Sequence, residues 1–118
     1  MHRGSAYENQ AAAWLEAQGL TVETRNYRCR VGEIDLVCRS SGVLVFVEVR
    51  YRSNPRFASA VASITHAKQR RLIAAASHYL QRHHHGRQLP CRFDVVAIDH
   101  DPALGEDKIQ WLKNAIGS

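Results

Sequence analysis

The chain has 118 residues, 45% of them hydrophobic and 23% charged, which suits one hydrophobic core and a folded rather than a disordered protein. Its formal charge of +5 comes mainly from Arg, 13 of the 16 basic residues, and guanidinium groups match phosphate bidentately, so a polyanion is the favoured partner. No run of about 18 apolar residues occurs, no apolar stretch follows Met1-His2-Arg3-Gly4, and Cys29, Cys38 and Cys91 are odd in number and widely spaced. Membrane spanning, secretion and a disulfide framework are therefore not expected, and a reducing, cytoplasmic setting is.

Residues 5 to 18 read as a first helix. Ser5 and Glu8 form a capping-box pattern, Ala11, Ala12 and Leu15 continue the face of Glu8, and Gly19 supplies the stop. Strand-like segments follow at about 20 to 28, half polar and suited to an edge, and at 33 to 40. In a third strand, Leu44, Phe46, Glu48 and Arg50 share one side while Val43, Val45, Val47, Val49 and Tyr51 share the other. A strand apolar on both faces is expected at the centre of a sheet.

Residues 53 to 62 read as a loop. Thr65 is placed to cap a second helix running to about Arg82, with Leu72, Ile73, Ala76, Tyr79 and Leu80 at helical spacing. His83-His84-His85-Gly86 ends that helix as a solvated terminus. A fourth strand spans Arg92 to Ile98, and Asp99-His100-Asp101-Pro102 follows as a turn. For residues 108 to 116, alternation at Ile109 and Trp111 favours a strand, whereas the Leu112 to Ile116 spacing favours a helix. The order predicts one α/β domain over residues 1 to 118, a mixed β-sheet with helices packed on it.

Two acids stand out in this pattern. If Ser41-Gly42 forms a two-residue hairpin turn, position 40 faces 43, and counting outward sets Asp35 opposite Glu48 on one face, about 5 Å apart at Cβ. Paired carboxylates on an apolar surface repel unless a cation relieves them, and Mg²⁺ or Mn²⁺ needs only one or two protein carboxylates. Such an ion activates water for phosphodiester hydrolysis. The same residues also admit a plain reading: Asp35 ends a strand locally, and Glu48 pairs with Arg50 or Arg39.

The segments Gly32-Glu33-Ile34-Asp35-Leu36-Val37 and Val45-Phe46-Val47-Glu48-Val49-Arg50 resemble the PD-(D/E)xK nuclease signature. The chain as a whole, from Gly4-Ser5-Ala6-Tyr7-Glu8 through Arg92-Phe93-Asp94-Val95-Val96 to Asn114-Ala115, resembles the UPF0102 family. That family is related to archaeal Holliday-junction resolvases and the restriction-endonuclease-like fold. The resemblance implies a metal site of Asp35, Glu48 and Glu8, although helix capping alone also explains Glu8. The nuclease pattern calls for Lys two positions after the second acid, and Arg50 stands there; Arg suits charge stabilisation on phosphate but not proton abstraction. Lys68 and Gln69, opening the second helix, look like the polar element that supports such sites.

Arg52, Arg56, Lys68, Arg70 and Arg71 are candidates for binding the sugar-phosphate backbone, with DNA the favoured partner. These residues together imply a metal-dependent nuclease acting on DNA phosphodiesters, branched DNA included. The alternative is a nucleic-acid-binding protein that keeps the nuclease fold without turnover. A homodimer would suit two-fold junction substrates, though no residue pattern encodes one.

Overall fold

The computed structural model describes residues 5–52, 60–85 and 89–116. Helix α1 (Ser5–Ala17) precedes strands β1 (Thr21–Cys29), β2 (Gly32–Ser40) and β3 (Val43–Arg52); helix α2 (His66–His84) then leads to β4 (Cys91–Asp101) and β5 (Glu106–Leu112). The strands form one sheet in the order β1-β2-β3-β4-β5. Only β3 and β4 run parallel, and the helix between them provides the crossover that parallel neighbours require. The sheet is thus mixed, β3 is central and the half-polar β1 is an edge, as the pattern predicts. None of the described helices is long and apolar enough to cross a membrane.

Local chemistry sets the element ends. Gly19, at φ +99°, closes α1 with two back-bonds, Gly19 N–H to the Glu16 carbonyl (3.0 Å) and Leu20 N–H to that of Leu15 (3.1 Å). Ser41 and Gly42 both take positive φ, 49° and 83°, the geometry of a tight hairpin turn, and Ser40 pairs with Val43. Thr65 caps α2 by accepting the Lys68 N–H on its hydroxyl at 3.1 Å.

The sheet separates two apolar layers. On one side Ala11, Ala12 and Leu15 of α1 pack on Leu36, Val45 and Val47. On the other, Leu72, Ala75 and Tyr79 of α2 pack on Val37, Leu44 and Phe46. Residues two apart in a regular strand share a face, yet Leu36 belongs to the α1 layer and Ile34 to the α2 layer. The partner strand breaks step at the same level: Arg25 reaches Asn9 on α1, whereas Tyr27 packs in the α2 layer. Between these pairs lie Asn26 and Asp35, which the β1–β2 ladder skips, as it also shifts register between Val22 and Thr24. Asn26 sits at φ 54°, in the left-handed region that Asn tolerates better than most residues. This paired break turns Asp35 out of strict alternation, to the place where the two layers meet.

Several expectations need correction. His83 and His84 remain helical, and only His85, at φ 53°, ends α2. They are held rather than free: the His83 ring stacks on Tyr79 (4.5 Å between centroids), and His84 Nε2 lies 3.2 Å from Glu23. The fourth strand runs on through Asp99, His100 and Asp101, which pair with β5 and so are no turn; the turn follows at 102–105. Residues 106–112 are a strand, so alternation at Ile109 and Trp111 prevails over helical spacing. Ile73 is exposed despite its place in the helical pattern. Most of the 53 to 62 loop, with Arg56, and Gly86 beyond the His run lie outside the described residues, as does the Ser5 side chain of the capping pattern.

The left-handed backbone at Asn26 has a direct test. Asn26→Val should lower stability by about 1–2 kcal/mol, because a β-branched residue resists positive φ, whereas Asn26→Gly should stay within about 0.5 kcal/mol of the parent. Urea unfolding of the three proteins measures this, and equal midpoints would show that the strand does not need that geometry.

Candidate functional site

The β2–β3 ladder runs from Ser40↔Val43 to Leu36↔Val47, so the next pair in register is Asp35 with Glu48. There the strands stop bonding to each other through their backbones. The Val49 N–H instead donates to Asp35 Oδ2 at 2.8 Å, so a carboxylate stands where a strand carbonyl would. Glu48, only 2% exposed, follows the parity of Leu44 and Phe46 toward α2. It meets the Lys68 ammonium there, Nζ to Oε1 3.0 Å. Glu8 is 8% exposed on the inner face of α1 close to Asp35, which in turn stands next to Glu48. Three carboxyl groups from three elements thus form a connected row, because Asp35 lies at the join of the two layers.

The electrostatics follow from that placement. Burial pushes Glu48 up to about 7, and the Asp35 charge adds to the rise, while Lys68 and then Arg50 oppose it. Burial likewise lifts Glu8 to about 7, with the charge of Asp35 raising it further and Glu33 adding repulsion. Asp35 is raised by burial too, against the opposing pull of the Val49 N–H and Lys68. Buried carboxyl groups this close together disfavour full ionisation, so the row retains protons near neutrality.

The donor set fits a hard divalent cation: carboxylate oxygens, no thiolate or imidazole among them, and negative charge in excess of the one ammonium. Among the described residues, however, no three of His, Cys, Asp or Glu form a ready-made cage. Asp35 and Glu48 are the residues that could hold such an ion, since Mg²⁺ needs only one or two protein carboxylates.

The other candidate residues take distinct places. Arg50 donates from Nε to the Ser63 hydroxyl (3.2 Å) and from Nη2 to the Ser63 carbonyl (3.3 Å), which ties it to the turn before α2. Gln69 donates its amide to the Ile64 carbonyl at 3.0 Å and so braces that same turn. Arg52 forms a two-pronged ion pair with Asp99, at 2.6 and 2.7 Å, which neutralises the charge expected to face a backbone phosphate. Arg70 and Arg71 are exposed on α2, and Arg56 lies outside the described residues. The alternative partners suggested for Glu48 are otherwise placed, Arg39 pairing with Glu23 at 2.5 Å.

Three features escaped the sequence pattern. Glu33 adds a fourth acidic charge to the field at Glu8 and Asp35. Asn26 sits at the break opposite Asp35 with positive φ; an Asn inside a strand is the signal that points to it. Arg28 and Arg30 line a cleft with Lys68 and Arg71, a meeting of β1 and α2 that only the fold creates. Asp94 is also wholly buried, but it is a structural clamp, bonded to Arg92, to the Trp111 indole N–H (2.9 Å) and to the Asn114 N–H (2.8 Å).

A pH series tests the raised values. Glu8 and Glu48 titrate near 4.5 when exposed and near about 7 in the fold. The folded state therefore binds more protons between those values, and stability falls as pH rises from 4.5 through 7. Glu48→Gln removes one of the two groups and should flatten the loss of Tm between pH 5 and 8 by roughly 4 °C. Parallel thermal curves for the two proteins would contradict the shift.

The profile of the "Uncharacterised protein family UPF0102" matches residues 7–98, a span that takes in Glu8, Asp35 and Glu48. A UPF0102 protein of Nitrosococcus oceani is 52% identical over 113 residues, which cover 96% of this chain and 90% of that protein. One from Nitrosomonas europaea is 52% identical over 97% of this chain and 92% of its own length, and one from Pseudomonas putida is 49% identical over 95% and 90%. With these matches running nearly end to end, the chain belongs to the UPF0102 family.

Proposed function

We propose that this protein is a metal-dependent nuclease of restriction-endonuclease-like architecture that hydrolyses phosphodiesters in nucleic acid, DNA in particular. The observation that carries this reading is the buried row Glu8–Asp35–Glu48, with the Lys68 ammonium 3.0 Å from Glu48. The mixed sheet, with helices on both faces and the acids on adjacent strands, supports it.

Asp35 and Glu48 would hold Mg²⁺ or Mn²⁺, with Glu8 supporting Asp35 from α1. When bound, the ion polarises a phosphoryl oxygen and lowers the pKa of a bound water. Hydrolysis would add the oxygen of water to phosphorus and break one P–O bond, leaving a phosphate monoester and a protonated hydroxyl. Lys68 takes the part that the nuclease pattern gives to the lysine replaced here by Arg50, since its ammonium stands at Glu48 from the opposite helix. There it orients water and offsets the charge that grows on phosphate. Arg50, tied to Ser63, adds positive potential behind Glu48 and holds the turn that Gln69 also braces.

A second reading, nucleic-acid binding without turnover, is favoured by one observation: among the described residues the acids do not already form a cage. Cleavage assays on duplex, flap, four-way-junction and single-stranded DNA, and on RNA, with Mg²⁺ or Mn²⁺, separate the two. Asp35→Asn and Glu48→Gln should each lower cleavage by at least about 100-fold while binding persists. Calorimetric titration of the metal should show the wild-type signal lost in Asp35→Asn. Binding without cleavage by the wild type would select the second reading, and equal metal binding in both proteins would remove the ion from Asp35.

A further inference from the structure

Beside the acidic row lies a cleft of about 360 Å³ between the end of the β1–β2 hairpin and the start of α2. Its walls bring together four cationic side chains, Arg28, Arg30, Lys68 and Arg71, against the single carboxylate of Glu33. Arg28 engages Glu33 at 3.4 Å and Lys68 engages Glu48, while Arg30 and Arg71 pair with no carboxylate among the described residues. Cys29, Val31 and Leu72 add an apolar lining, and Val31 is 46% exposed.

Backbone packing fixes the shape of this cleft. A Cβ on Gly32 would fall 2.3 Å from the Arg71 carbonyl oxygen and 2.9 Å from its carbon, so the hairpin rests directly on the α2 backbone. Only glycine permits so close an approach. Arg71 and the Arg28–Arg30 segment are thereby set on facing walls at a constant spacing.

We infer that this cleft binds one nucleotide unit of an unpaired strand, its phosphate between Arg30 and Arg71 and its sugar and base against Val31 and Cys29. The volume suits a single nucleotide and is too small to enclose a base pair of a duplex. Lys68 belongs to both the cleft and the acidic row, so a strand seated here leads its neighbouring phosphate to Glu48. The inference rests on the nuclease reading for its substrate class and narrows it to nucleic acid with a single-stranded segment beside the reacting phosphate.

The test is fluorescence anisotropy in EDTA, where no cleavage occurs, with a blunt duplex, the same duplex carrying a single-stranded overhang, and single-stranded DNA and RNA oligomers. Wild-type protein should favour the overhang over the blunt duplex by about 10-fold. Arg30→Gln combined with Arg71→Gln should remove that preference and reduce the salt dependence of log K by about one to one and a half. Arg82→Gln, an exposed change at the far end of α2, should alter neither. Equal binding of blunt and overhang DNA, or an unchanged double variant, would overturn the inference. So would inorganic phosphate or a mononucleotide competing at the same concentration as the oligomer, since the site would then serve a free anion. Cleavage is scored separately with Mg²⁺: overhang binding without cleavage leaves the cleft standing and removes the nuclease, whereas cleavage indifferent to the double variant does the reverse.

Discussion

Where β2 and β3 part, the Asp35 carboxylate accepts the Val49 N–H that a strand carbonyl would otherwise take. That bond needs Asp35 turned out of regular alternation, and the left-handed Asn26 beside it lets β1 follow the same break. A regular β2 would send Asp35 to one layer only. The break sets it between Glu8 on the α1 side and Glu48, whose partner Lys68 comes from the α2 side.

Such a junction is costly in the protein alone. Charged carboxyl groups taken out of water and set against each other are unfavourable, and the upward shifts of Glu8 and Glu48 express that cost as retained protons. One ammonium on Glu48 offsets part of it. Both layers around the site are otherwise closed by apolar packing, which leaves the acids at a defined edge of the core. Strained and poorly compensated polar groups gathered at one place are characteristic of functional sites.

Around this centre the cations divide by role. Arg52 is bound by Asp99 and Arg50 by Ser63, so both stiffen the ends of the central strands and the turn before α2. Arg30 and Arg71 face open space across a cleft whose width is set by the contact of Gly32 with α2. Arg content alone does not separate these places; what separates them is whether a guanidinium meets a carboxylate of its own chain.

The sequence by itself determined the order and type of nearly every element, because turn chemistry at Gly19, Ser41-Gly42 and Thr65 and the two-sided apolar run of β3 are local signals. It also determined that Asp35 and Glu48 are adjacent, since a two-residue hairpin fixes register by counting. It left the strand at 106–112 open and ended the fourth strand too soon, because those residues are held by pairing with a distant neighbour rather than by their own propensity. Only the tertiary structure decided that Glu8 turns to Asp35, that Lys68 reaches Glu48, that Arg52 is spent on Asp99, and that Arg28 and Arg30 face Arg71. Those are contacts between elements remote in the chain, and the direction of a side chain across a packed interface depends on neighbours that no local pattern encodes.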